Sequence, residues 1–328
     1  MAHQPQPVAS KPRVPIAMRI WLGLLILFGL VAAVTHLGDI EHFVALMQKA
    51  EPQWLALALL LQLATYFSLA VLWQRALLLG GGVRLPLRSL VPLGLAKLFS
   101  DQAMPTGGMS GTAFLVAALH RRGVAVDLCM AISLLSLVAY YAAYLLFTLA
   151  SVALLWLHHA MQPWIVIVTL LFGLVAVAIP AGALWLQSHG KQLLPRVVLR
   201  IPGLKAMLQG LAQTSGALVH ERSLLLVATA LHGSVFLLDS LTLWVMLQAI
   251  GQTVSFWVVL PSFILASVVA TLGPVPLGLG TFEASCVTML GALGVPIEAA
   301  LTATLLLRGL TLWLPMLPGL WLTRRILR

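Results

Sequence analysis

Five charged residues lie inside apolar stretches of this 328-residue sequence: Lys97, Asp101, Asp239, Glu283 and Arg308. A charge in hydrocarbon is costly, so it turns toward protein or a wet cavity, pairs, and often marks a path for a substrate, an ion or a proton. Lys97 and Asp101 are four positions apart, on one helical face, and can pair. Glu283 and Arg308 belong to neighbouring elements and are natural counter-ions. Asp239 has no local partner in the sequence; it is a candidate proton relay, or a partner for Lys97 or Arg308. The competing role for each pair is structural, an ion pair that fixes helix register. The chemistry on offer is binding of a charged group rather than bond breaking. No Gly-x-Ser-x-Gly, His-Glu-x-x-His, Walker loop or dinucleotide fingerprint occurs. His158 and His159 read as an interfacial pair rather than a metal site, and Cys129 and Cys286 as packing residues without partners at ligand spacing. No cofactor, metal or catalytic residue is expected.

Two interrupted stretches must position these charges. The first is Gly273-Pro274-Val275-Pro276-Leu277-Gly278-Leu279-Gly280-Thr281-Phe282-Glu283. Proline removes a backbone donor and clashes with the preceding turn. Glycine supplies the positive φ that a reversal needs. Lipid-exposed broken backbone is not tolerated at membrane depth, so the break is expected to line a cavity or be covered by protein. A similar break, Met104-Pro105-Thr106-Gly107-Gly108, follows Lys97 and Asp101. Gly/Pro-interrupted segments at corresponding places in two halves point to a transporter-type binding site. Pro105, Gly107, Gly108, Pro274, Pro276, Gly278 and Gly280 are therefore expected to act as breaks and hinges. Half-helices starting near Gly108 and Gly280 would aim N–H groups at the centre, an arrangement that binds anions.

Composition sets the class. The chain is 61% hydrophobic and only 9% charged, with a mean hydropathy of +1.02, which describes an all-α polytopic membrane protein. Its net charge of +10 does not mark a nucleic-acid partner, because the basic residues cluster in short segments beside apolar spans. Residues 1–15 are polar and proline-rich, and disorder is expected there. Residues 16–328 form a single transmembrane domain: a first half at 16–187, a basic interfacial segment at 188–222 and a second half at 223–328.

Six full spans are expected, near residues 20–37, 54–79, 127–157, 163–187, 224–250 and 299–322. The broken segments, near 89–119 and 255–293, are expected to be re-entrant hairpins, since halves such as 89–104 and 109–119 are short for a ~30 Å core. With the N-terminus in the cytoplasm, the basic clusters at 75–88, 121–122, 191–222 and 324–328 all fall inside, and Lys49 alone among 19 Lys and Arg falls outside. Both termini are then cytoplasmic. One hairpin enters from each side, so the halves form an inverted repeat.

The run from Pro274 to Ala284, followed by Gly294-Val295-Pro296 and then Leu307-Arg308, resembles the flippase-like transmembrane family of lysylphosphatidylglycerol synthase. Its motif there is Pro-x-x-x-Gly-x-Gly-x-x-Glu-Ala, with a later Gly-Val and an Arg in the last helix. The stretch Ala103–Gly108 resembles an earlier family motif less closely. The likeness spans roughly residues 20–325. It implies an inner-membrane protein that moves a lipid between leaflets. Bifunctional members carry a cytosolic synthase; this sequence holds none, so a stand-alone member is expected and the lysyl-lipid is not implied as substrate. The family also tends to carry an acid in the helix after the first hairpin, where residues 134–144 here have none.

The leading expectation is a lipid flippase or transporter of the cytoplasmic membrane. Its substrate would be an anionic or modified phospholipid, or a polyprenyl-phosphate-type lipid, bound by Lys97, Asp101, Asp239, Glu283 and Arg308. The alternative is a non-transporting membrane partner of a lipid- or glycan-modifying enzyme. Expected partners are thus membrane lipids and, in the second reading, such an enzyme; a homo-oligomer is compatible with both.

Overall fold

The computed structural model describes residues 51–103, 109–189, 217–273, 275 and 278–327. All of them belong to one compact unit, Lys49–Arg328. The expected first span at 20–37, the N-terminal segment, most of the basic segment at 188–222, and Pro105, Gly107, Gly108, Pro274 and Pro276 lie outside the described residues.

Regular structure among the described residues is entirely helical. In chain order it consists of α1 (Pro52–Gly81), α2 (Leu87–Ala103), α3 (Met109–His120), α4 (Val126–Leu157), α5 (Pro163–His189), the single turn α6 (Ala217–His220), α7 (Arg222–Ala249), α8 (Phe256–Leu272), α9 (Thr281–Ala292), α10 (Ile297–Arg308), a π-helical turn (Gly309–Trp313) and α11 (Leu314–Leu327). Five helices are long and apolar enough to cross a membrane: α1, α4, α5, α7 and the continuous run Ile297–Ile326. They coincide with five of the six spans expected from sequence. This is a multi-pass membrane protein.

The interrupted stretches become two pairs of shorter helices. The first helix of each pair has 17 residues and the second 12. At 1.5 Å per residue these are about 25 Å and 18 Å long, below a ~30 Å hydrocarbon core. In each pair the two helices pack against one another.

Where lipid offers no hydrogen bonds, hydroxyls must find partners inside the protein. Many here return to their own helix. Thr148, Ser240, Ser262 and Thr304 each donate to the carbonyl four residues earlier, at 2.7 to 2.8 Å. Helices also approach closely at small residues. A Cβ added at Gly319 of α11 would lie 2.6 Å from the Cβ of Phe99 and 3.0 Å from the carbonyl of Leu95, both on α2. Pro180 lies inside α5, which continues through it.

Two main core clusters result. One joins α7, α8, α9 and α10 with parts of α1, α4 and α5. The other joins α1, α2, α3 and α4 with the start of α7 and the end of α11. The charged termini segregate in the same way. Arg121, just after α3, donates to the carbonyl of Ile326 at 3.4 Å, so the basic ends of α3 and α11 meet. The N–H of Glu51 donates to the carbonyl of Ala249 at 3.2 Å, at the opposite end of α7 from Arg222.

Candidate functional site

The site lies where the two clusters meet. A cavity of about 430 Å³ is lined by α1 (Gln62, Tyr66), α2 (Lys97, Asp101), α4 (Tyr140), α7 (Asp239), the α8–α9 pair, and Arg308 with the π turn behind it. Four of the five charged residues singled out from sequence line this one space. The fifth, Glu283, is held against Arg308.

Lys97 Nζ stands 2.8 Å from Asp101 Oδ2, as one face of a helix requires. The other oxygen of Asp101 accepts the backbone N–H of Gly111 at 2.7 Å. One carboxylate thus ties a cation on α2 to the first turn of α3. A side chain at Gly111 would run into that carboxylate.

The second pair repeats the scheme. Arg308 Nε donates to Glu283 Oε1 at 2.6 Å, and Glu283 Oε2 accepts the backbone N–H of Gly280 at 2.7 Å. Arg308 also reaches the carbonyl of Gly278 at 3.4 Å, and its guanidinium lies 4.8 Å from the centre of the Phe282 ring. Gly278 and Gly280 have φ of 61° and 80°, left-handed values that favour glycine. At Gly278 an added Cβ would lie 2.6 Å from that of Ala270. These two glycines make the reversal that brings α9 back onto α8.

Of the N–H groups expected to point at the centre, that of Gly280 is already engaged; Gly108 lies outside the described residues, and the nearby N–H of Gly111 is engaged as well. The protein's own carboxylates occupy the positive ends of α9 and α3, where an external anion was expected.

Asp239 is placed differently. Its Oδ1 accepts from Gln62 Nε2 at 2.9 Å, and the same amide nitrogen donates to Thr242 Oγ1 at 3.0 Å. Among the described residues Asp239 joins no ion pair; Lys97 and Arg308 have Asp101 and Glu283. Gln62 was not singled out from sequence, because a lone glutamine in an apolar helix carries no spacing signal. Tyr140, which from sequence suits an interface belt or helix packing, instead lines the cavity. Tyr140 contacts Tyr141, Tyr144, Phe236 and His232 with ring centroids 5.4 to 5.6 Å apart. The π turn after Arg308 brings Thr311 and Leu312 to the cavity, and no sequence pattern announced it.

The remaining motifs lie away from the cavity. His158 stacks on Trp257, with centroids 3.8 Å apart. No group of three or more metal-ligating side chains occurs among the described residues.

The arrangement presents paired charges to a cavity that is open on part of its boundary. Among its described residues no nucleophile is paired with a base. Among the curated proteins no match to this chain is found. The family comparison is decisive: the lysylphosphatidylglycerol synthase TM region matches residues 20–319, nearly the whole chain, and the protein belongs to that family.

Proposed function

We propose that the protein moves a lipid with an anionic or modified headgroup between the leaflets of the cytoplasmic membrane. One observation carries the reading. A largely apolar cavity into which four charged side chains project is framed by two interrupted helix pairs of matching length. A headgroup would enter the cavity, and its acyl chains would stay among the apolar helix faces.

The order and lengths of the helices are consistent with an inverted repeat and support this reading. A long helix, a 17-residue helix, a 12-residue helix and another long helix occur in that order twice, as α1–α4 and as α7–α11 with its π turn. Pro92 in Leu87–Ala103 and Pro261 in Phe256–Leu272 stand at the same step from the start of their helices. On the positive-inside rule α1 and α7 would run in opposite directions across the membrane. Each short pair then enters and leaves on one side, as a re-entrant hairpin. Opposed hairpins around a midplane site suit alternating access.

Transport is read in proteoliposomes carrying fluorescent or radiolabelled phospholipid. Wild-type protein should equilibrate the label between leaflets. Glu283→Gln should slow transfer about tenfold or more, as should Arg308→Ala, because either leaves a partly buried charge without its partner. Wild-type rates in both variants would remove the site. Empty-vesicle rates with wild-type protein would remove transport itself.

A further inference from the structure

We propose that an anionic headgroup enters this cavity together with a proton, and that Asp239 carries it. The inference rests on the lipid reading above and adds an ionic co-substrate to it.

The argument begins with charge. Lys97 and Arg308 face three carboxylates: Asp101, Glu283 and Asp239. The first two are committed to the two cations and to backbone donors. The site therefore carries one negative charge in excess when all five residues are ionised, and that charge belongs to Asp239. A phosphate arriving there would add a second negative charge to a largely apolar cavity. Buried charge without a partner is costly. Neutralising Asp239 is the local remedy, since its fixed neighbours, Gln62 and Thr242, are uncharged. The bond balance is simple. A hydronium ion or buffer acid gives up a proton, leaving water or buffer base, and an O–H bond forms on Asp239 as the headgroup enters; when the headgroup leaves, that bond breaks and the proton returns to water.

The groups facing Asp239 from each packed element allow the assignment. Helix α1 presents Tyr66 beside Gln62, α4 presents Tyr140, α2 presents the Lys97–Asp101 pair, and α10 presents Arg308. Helix α8 contributes Ser267, which has no charge to give. On α7 itself, His232 is buried, its Nε2 has no hydrogen-bond partner, and its ring meets the edge of Tyr140. His232 lies toward the basic end of α7, so it is the rival seat for the proton.

Linkage makes the proposal measurable. If binding takes up one proton, affinity for the anionic lipid falls as pH rises, by up to about tenfold per pH unit. The probe is dihexanoyl phosphatidylglycerol, titrated calorimetrically into the full-length protein in buffers of different ionisation enthalpy. Dihexanoyl phosphatidylcholine, which brings no net charge, is the control. Wild-type protein should take up about one proton per phosphatidylglycerol bound and none with phosphatidylcholine. Asp239→Asn should abolish the uptake and flatten the pH profile, and Asp239→Glu should restore both. The Glu variant also guards against a mere folding defect.

Phosphatidylglycerol binding without proton uptake would overturn the proposal and leave the lipid reading intact. A pH profile lost in His232→Gln but kept in Asp239→Asn would overturn it in favour of the histidine. Failure of both lipids to bind at any pH would remove the lipid reading, and this inference with it.

Discussion

Asp101 and Glu283 each divide two oxygens between a side-chain cation and a backbone N–H at the start of a short helix. Charge-assisted bonds of this kind are stronger than neutral ones, and a helix N-terminus favours a carboxylate. Asp101 therefore ties α2 to α3, while Glu283 caps α9 and ties it to α10, and each holds its cation at the cavity. The tolerance is small on the Asp101 side, where the α-carbon of Gly111 fills the available space. Gly111→Ala should destabilise the purified protein by about 1–3 kcal/mol through overpacking. The same change in an Asp101→Ala background should cost much less, because the obstructing carboxylate has gone. A thermal-unfolding double-mutant cycle checks this. Strictly additive effects would mean that the two residues do not share the contact.

At the scale of elements, the π turn Gly309–Trp313 follows directly on Arg308. A π turn accommodates one residue more than a regular helix and often marks a functional site. Here it brings Thr311 and Leu312 to the cavity beside Arg308, while α11 beyond it stays packed on α2 through Gly319. Deleting Leu310 should convert the turn to regular α-helix and leave both flanks in register. The variant should fold and elute normally but lose most transport in the proteoliposome assay, roughly tenfold or more by loss of a positioned contact. Wild-type transport would show that the turn has no part in the site. This element also marks the limit of what sequence reveals. Proline and glycine announce a break because they remove a donor or a Cβ, and a charge in an apolar run announces a site because burial is costly. The helix pairs, the two ion pairs and five spans were legible for those reasons. A π turn in ordinary residues such as Leu310 and Leu312 has no such signature. Neither has the Gln62–Asp239 bond, whose partners stand 177 positions apart. Engagement of the Gly111 and Gly280 donors likewise depended on side-chain geometry that spacing alone does not fix.

The whole molecule separates its charges along the direction of its long helices. Arg75, Arg84 and Arg88 follow or end α1, Arg121 and Arg122 follow α3, Arg222 opens α7, and Arg324 and Arg325 close α11. Contacts between Arg121 and Ile326 and a shared cluster of Val83, Leu218, Leu224 and Ile326 gather these ends together. The far end carries Glu51 beside Ala249 and Glu298 at the start of α10. Lysine and arginine resist translocation, so the arginine-rich end is expected to stay in the cytoplasm. On the proposed hairpin reading, α2–α3 would then open toward the cytoplasm and α8–α9 away from it. Cysteine labelling reads the orientation directly. The native Cys129 and Cys286 are buried, so the background is low. Glu298 and Arg324 are both exposed and suit single substitutions. A membrane-impermeant maleimide added to intact spheroplasts should label Glu298→Cys and should reach Arg324→Cys only after permeabilisation. The reverse pattern would turn the protein over and exchange the sides on which the two helix pairs open. Labelling of both positions from one side would mean that the two ends do not lie across a membrane from one another, and the opposed-hairpin mechanism would fail with them.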